Sequence, residues 1–104
     1  MSFSDTEEML LSNGSATGSA VRWRGGRGVF TVYSATFSGA TIKLQWSPDF
    51  GATWLDVDRS GDTYVTLTAT GAGIFELPPC QIRANVSGGP PSAVYAKVMG
   101  TRVD

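Results

Sequence analysis

TIKLQWSPDFGATWLDVD, residues 41–58, decides how this chain is to be folded. Its first six residues alternate, with Ile42, Leu44 and Trp46 on one face and Thr41, Lys43 and Gln45 on the other. A period of two is the pattern of a strand buried on one side. The next residues, SPDFGA, are turn formers. Asp49 can accept bonds from the backbone N–H groups of its own turn, and Gly51 can take a positive φ. Beyond them TWLDVD alternates again, setting Leu55 and Val57 inward against Trp54, Asp56 and Asp58. Two alternating runs joined this way predict an antiparallel hairpin with residues 47–54 as its turn.

The same theme continues on both sides. SAVRWR is followed by the turn-rich GGRG, and VFTVYSATF by SG. TYVTLTA alternates Val65 and Leu67 with Tyr64, Thr66 and Thr68. IFEL runs into Pro78 and Pro79, which end or edge a strand. CQIRANV sets Cys80, Ile82, Ala84 and Val86 against Gln81, Arg83 and Asn85, and AVYAKVM follows a GGPP turn. The chain is thus expected to be all-β, with eight or nine short strands in an antiparallel, jelly-roll-like β-sandwich. Residues 1–11 read as an N-terminal arm, acidic but carrying Phe3, Met9 and Leu10, and residues 12–104 as a single β-sandwich domain.

Composition narrows the function. The 104 residues suffice for one domain. Charged residues make up 16%, below the roughly 25% of an average globular chain, and 13 glycines fit a fold rich in tight turns. A net charge of −1 supplies no field toward nucleic acid or an anionic membrane. No apolar run is long enough to span a bilayer, and MSFSDTEEML is acidic where a signal peptide is basic and apolar. The lone Cys80 has no intrachain disulfide partner and sits at an apolar position of its strand.

Catalytic chemistry is scarce. The chain has no histidine, so the usual general base and commonest metal ligand are missing. Asp56 and Asp58 share a strand face, as a glycosidase pair would, but on the side expected to be solvated. DVDRSGD partly matches a calcium loop, yet its twelfth position is Leu67 where a bidentate Glu is required. We therefore expect no catalytic residues, no metal site, no cofactor and no small-molecule substrate. VRWRGGRG is the stretch with most functional weight. It gathers Arg22, Arg24 and Arg27 around a presumed hairpin, with Trp23 as an aromatic anchor for a partner.

Two resemblances add to this. SPDFGATW resembles the Asp-box of sialidase propeller blades, a hairpin device in which Asp and Gly shape the turn and an aromatic packs beneath it. One copy in so short a chain implies a structural turn made by Asp49, Gly51 and Trp54, and not a hydrolase. More broadly, GSAVRWRGGRGVFTVYSATFSGATIKLQWSPDFGATWLDV and GAGIFELPPCQIRANVSGGPPSAVYAKVMGT look like the small β-rich virion proteins of tailed bacteriophages, including head decoration, or cement, proteins. That resemblance implies a non-enzymatic protein made in the host bacterial cytoplasm and carried on the capsid exterior. Its partners would be the major capsid protein and itself, as a dimer or trimer, with contacts through Phe3, Met9, Leu10 and the arginine segment. The alternative is a carbohydrate- or receptor-binding sandwich of a phage head fibre or tail, with aromatics such as Trp23, Trp54 or Tyr64 exposed on one sheet.

Overall fold

The computed structural model describes residues 7–34, 36–59 and 61–100. Nine strands form within them: β1 Glu7–Gly14, β2 Val21–Trp23, β3 Gly26–Tyr33, β4 Thr41–Ser47, β5 Leu55–Asp56, β6 Thr66–Leu67, β7 Gly71–Leu77, β8 Cys80–Ser87 and β9 Val94–Gly100. They build two antiparallel sheets. One, here sheet A, has the order β1-β9-β3-β7; the other, sheet B, has β2-β8-β4-β5, with β6 also on the free side of β4. The all-β sandwich expected from the alternation is the observed architecture.

The core follows from the alternation. Ile42 and Leu44 of β4, Ile82 and Ala84 of β8, Phe30 and Val32 of β3, and Val94, Ala96 and Val98 of β9 are fully buried between the sheets. At roughly 1.5–3 kcal/mol for each large side chain removed from water, this one layer is the chief stabilising term.

The chain passes from sheet to sheet in pairs of strands. Trp23 faces Cys80 in sheet B, and Gly26 faces Leu77 in sheet A. Both strands advance by the same number of residues between these pairs, so one ladder register runs unbroken around the corner. Arg24 and Gly25 cross opposite Pro79 and Pro78 there. Gly25 has φ +98°, and a Cβ on it would stand 2.9 Å from Pro79 Cδ. At the far end β3–β4 and β8–β9 turn over together in the same way. The bridge between Thr36 and Ser92 carries the register from Tyr33↔Tyr95 to Thr41↔Ser87. Ser34 Oγ donates to the Ser92 carbonyl at 2.7 Å, and Ser92 N–H to the Thr36 carbonyl at 3.1 Å.

Three expectations are corrected. First, the arm does not extend to residue 11, because Glu7–Gly14 is β1, paired with β9. Leu10 and Leu11 are both buried, so Leu10 is core and not a partner contact. A register shift between Met9 and Leu11 lets two consecutive leucines face inward while Met9 stays exposed, which a strict period of two cannot express. Phe3 lies outside the described residues. Second, VRWRGGRG is not a hairpin: β2 belongs to sheet B and β3 to sheet A. Third, Leu55 is exposed, since β5 is a two-residue strand at the rim of sheet B.

Candidate binding surfaces

The 47–54 turn forms as its residues predict, joining β4 to β5. Ser47 is its hub. Buried at the end of β4, its hydroxyl donates to Asp49 Oδ1 at 2.9 Å and accepts the Gly51 N–H at 2.7 Å. Asp49 Oδ1 also accepts the Thr53 N–H at 2.7 Å. Hydrogen bonds from the Thr53 side chain, then its backbone, then the Ser47 hydroxyl hold the Asp49 carboxyl below its ordinary range. Gly51 has φ +96°. Trp54 packs beneath the guanidinium of Arg83 on β8, which stands 4.4 Å from its ring centroid. Ser47 and Arg83 were not singled out in the sequence, although Ser47 opens the Asp-box-like pattern.

The outer face of sheet B is a chain of bonded polar groups. Arg83 Nε donates to Gln45 Oε1 at 2.9 Å, Gln45 Nε2 to Asp56 Oδ1 at 2.9 Å, and Lys43 Nζ meets Asp56 Oδ2 at 3.2 Å. The Gln45 amide first, with help from Lys43, keeps the Asp56 carboxyl below its usual range against the opposing effect of burial. Asp58 does something different. Its carboxylate accepts the Val65 N–H at 2.9 Å and the Thr66 hydroxyl at 2.7 Å, tying down the loop that inserts Val65 into the core. The two carboxylates are thus each engaged by separate partners, and Asp58 is taken up by its own loop where the calcium reading needed a ligand.

Arg22, Arg24 and Arg27 are exposed, but the corner divides them. Arg22 lies on β2 of sheet B, and Arg27 lies on β3 of sheet A opposite Glu76. Trp23 is fully buried against Phe75, with ring centroids 5.1 Å apart, so it anchors the core and not a partner. A small cavity of about 100 Å³ lies between Arg22, Cys80, Gln81 and the turn residue Phe50. Burial raises the Cys80 thiol pKa, only partly offset by Arg22, which makes the thiol a poor nucleophile.

The outer face of sheet A is the surface that the sequence reading missed. Ile74, Val29 and Met99 stand side by side across β7, β3 and β9. Ala72, Thr31, Lys97 and Met9 form the next row. Tyr33 and Tyr95 close the face, their rings stacked at 5.1 Å and 8°. Ile74 is 65% exposed and Met9 46%. The signal was present in VFTVY, where Val29 and Tyr33 put apolar groups on the side opposite the core residues Phe30 and Val32. No family model, curated protein or solved structure matches the chain.

Proposed function

We propose that the chain is a non-enzymatic structural protein that docks on other proteins through the outer face of sheet A, and that its setting is the bacteriophage virion, as a capsid decoration protein on the head exterior. The observation that carries the docking is the row Ile74, Val29 and Met99, with Met9 beside it: apolar area held flat on a rigid sheet and left in water. The virion setting rests on the sequence resemblance.

Size decides what kind of docking this is. Four strands of about seven residues, ~4.8 Å apart with a rise of ~3.4 Å per residue, make a face of roughly 450 Å² in projection. A standard stable interface buries about 800 Å² on each partner. One face therefore holds weakly, and a repeated shell that engages several linked copies supplies the rest by multivalency. Arg22 and Arg24, exposed at the corner, supply charge-assisted contacts to the acidic residues of a neighbouring copy in a homo-oligomer. A glycan-binding module has less support, because Trp23 is core and Arg83 covers one face of Trp54.

The test is co-sedimentation with purified bacteriophage capsids. Ile74→Asp combined with Met99→Asp is expected to cut occupancy at least about tenfold, a loss of ~1.4 kcal/mol or more, while the thermal midpoint stays within a few degrees. Full occupancy by that folded variant would sink the proposal.

A further inference from the structure

Phe50 sits in the 47–54 turn with φ +62°. A bulky side chain seldom adopts that conformation, and this one is also 83% exposed to water. The bonds made by Ser47 and Asp49 on either side hold it there. Neither the strain nor the exposure helps the fold, and strained residues of this kind collect at binding sites. Across from Phe50 stands Arg22. The ladder sets Arg22, Gln81 and Ser47 in one row over β2, β8 and β4. Arg24 follows two residues later on the same exposed face, beside Pro79 where the register continues. The cavity of about 100 Å³ lies between, with Pro48, Phe50 and Pro79 as apolar walls and Arg22 at its side.

Size and charge restrict the occupant. Clefts for whole ligands run to roughly 300–1,000 Å³, so this one suits a single apolar side chain. No carboxylate lines it, and neither Arg22 nor Arg24 makes a hydrogen bond or ion pair among the described residues. The other cations on the outer face of sheet B are engaged, Lys43 by Asp56 and Arg83 by Gln45. What fits the cleft is an apolar side chain with carboxylates close to it in sequence. The chain contains such a stretch. Residues 1–8 hold Phe3 with Asp5, Glu7 and Glu8, whereas all eight Lys and Arg lie in the remainder.

We infer that the cleft between Arg22 and Phe50 receives residues 2–5 of a neighbouring copy, with Phe3 in the cavity and Asp5 on Arg22 and Arg24. The inference rests on the reading of the chain as a homo-oligomer and names where the copies meet; shell attachment does not enter it. Residues 1–6 lie outside the described residues, but the point they leave from is fixed. Glu7 pairs with Met99, and Gly100 with Gly28, so β1 begins at the corner end of sheet A. From there MSFSDT holds no glycine or proline to reverse it onto its own sheet B, and Phe3 is within about 14 Å of Glu7 along an extended chain. A neighbour's cleft requires no reversal. Phe3 against Phe50 covers the exposed ring, and guanidinium–carboxylate bonds set the register. Each copy gives one segment and offers one cleft, so the contact can close into a dimer or a ring.

Sedimentation equilibrium of the full chain, without capsids, is the first measurement. The parent is expected to self-associate. Arg22→Ser with Arg24→Ser, and separately Phe3→Ser, should each weaken association about tenfold or more while the folded state keeps its thermal midpoint. Mixing the two variants should restore heterodimers, because one still has the segment and the other still has the cleft. Phe3→Cys with Phe50→Cys, treated with a short bismaleimide, should give dimers on a denaturing gel, linked between the introduced thiols. The inference is overturned if both weakened variants associate as the parent does, if mixing restores nothing, or if the link forms within one chain, since the segment would then lie on its own cleft. A parent that is monomeric at every concentration overturns the homo-oligomer reading together with this site, whereas an oligomer indifferent to the substitutions removes the site alone.

Discussion

The outer faces of the two sheets share a scaffold and differ in what their side chains have already bonded to. On sheet B, Arg83, Gln45, Asp56 and Lys43 form one chain of contacts, and Trp54 lies under Arg83. Much of that polar capacity is used inside the molecule. A partner would have to break those bonds before making its own, with little net gain. On sheet A, Ile74, Met9 and Met99 still expose apolar area that a partner can cover. Hydrophobic gain scales with area not yet buried, so the plainer face is the stickier one. A surface rich in charge and hydrogen bonds is therefore a weaker indication of a binding site than a bare row of Ile, Val and Met.

The most damaging way to break this contrast is to exchange the faces. Inner and outer positions are assigned by one alternation that runs through each corner in unbroken register. Deleting Gly25 alone would slip β3 by one residue against β2, sending Arg27, Val29 and Thr31 toward the core and Phe30 and Val32 toward water. Losing those two buried side chains alone costs several kcal/mol, a large share of a small domain's stability. The expected outcome is loss of cooperative thermal unfolding and of dispersed amide NMR signals. A cooperative transition within about 10 °C of the parent would show that the corner does not set the register.

The corners also mark what could be read in advance. In TIKLQW and CQIRANV one face is apolar and the other polar, so strand, face and core were all legible. So was the turn, because Asp49 and Gly51 act on residues a few places away. The crossing of VRWRGGRG was not legible, since a hairpin and a corner use the same glycine chemistry. What makes it a corner is pairing with β7–β8, some fifty residues along the chain. The arm boundary failed at a bulge, which is set by β9. Sheet A's outer face was hidden because VFTVY is apolar on both sides, a pattern that does not say which side meets a partner.

A milder change acts on sheet B and should leave the docking face alone. Gly51→Val places a β-branched residue at φ +96°, with its Cβ 3.2 Å from Gln81 Oε1. The expected loss is more than about 1 kcal/mol. It would be seen as a lower urea midpoint at unchanged slope. Shell occupancy measured well below the midpoint should match the parent. A drop in occupancy with the fold intact would mean that the turn, and with it sheet B, is part of the docking surface.

The smallest effect is the pH and salt response that separates bonded charge from bare apolar area. Hydrogen bonds from Gln45, then the contact with Lys43, lower the Asp56 pKa in the folded state. A lowered folded pKa means that the unfolded chain takes up a proton first as pH falls. The stabilisation is therefore complete above the ordinary carboxylate value of 3.8 and is lost as pH drops below it through the folded pKa. Asp49 adds to the same window with the same sign, through the bonds from Thr53 and Ser47. Because the Lys43–Asp56 pair is partly exposed, screening limits its share to less than about 1 kcal/mol, and added salt should reduce it further. Asp56→Asn should accordingly be slightly less stable than the parent at pH 6, and the gap should close as pH falls below the ordinary carboxylate value of 3.8 and the parent carboxyl is protonated. Urea midpoints at each pH measure the gap. A constant difference across the series would mean that the carboxylate charge at position 56 contributes nothing, and that what holds the outer face of sheet B together is packing, as on sheet A.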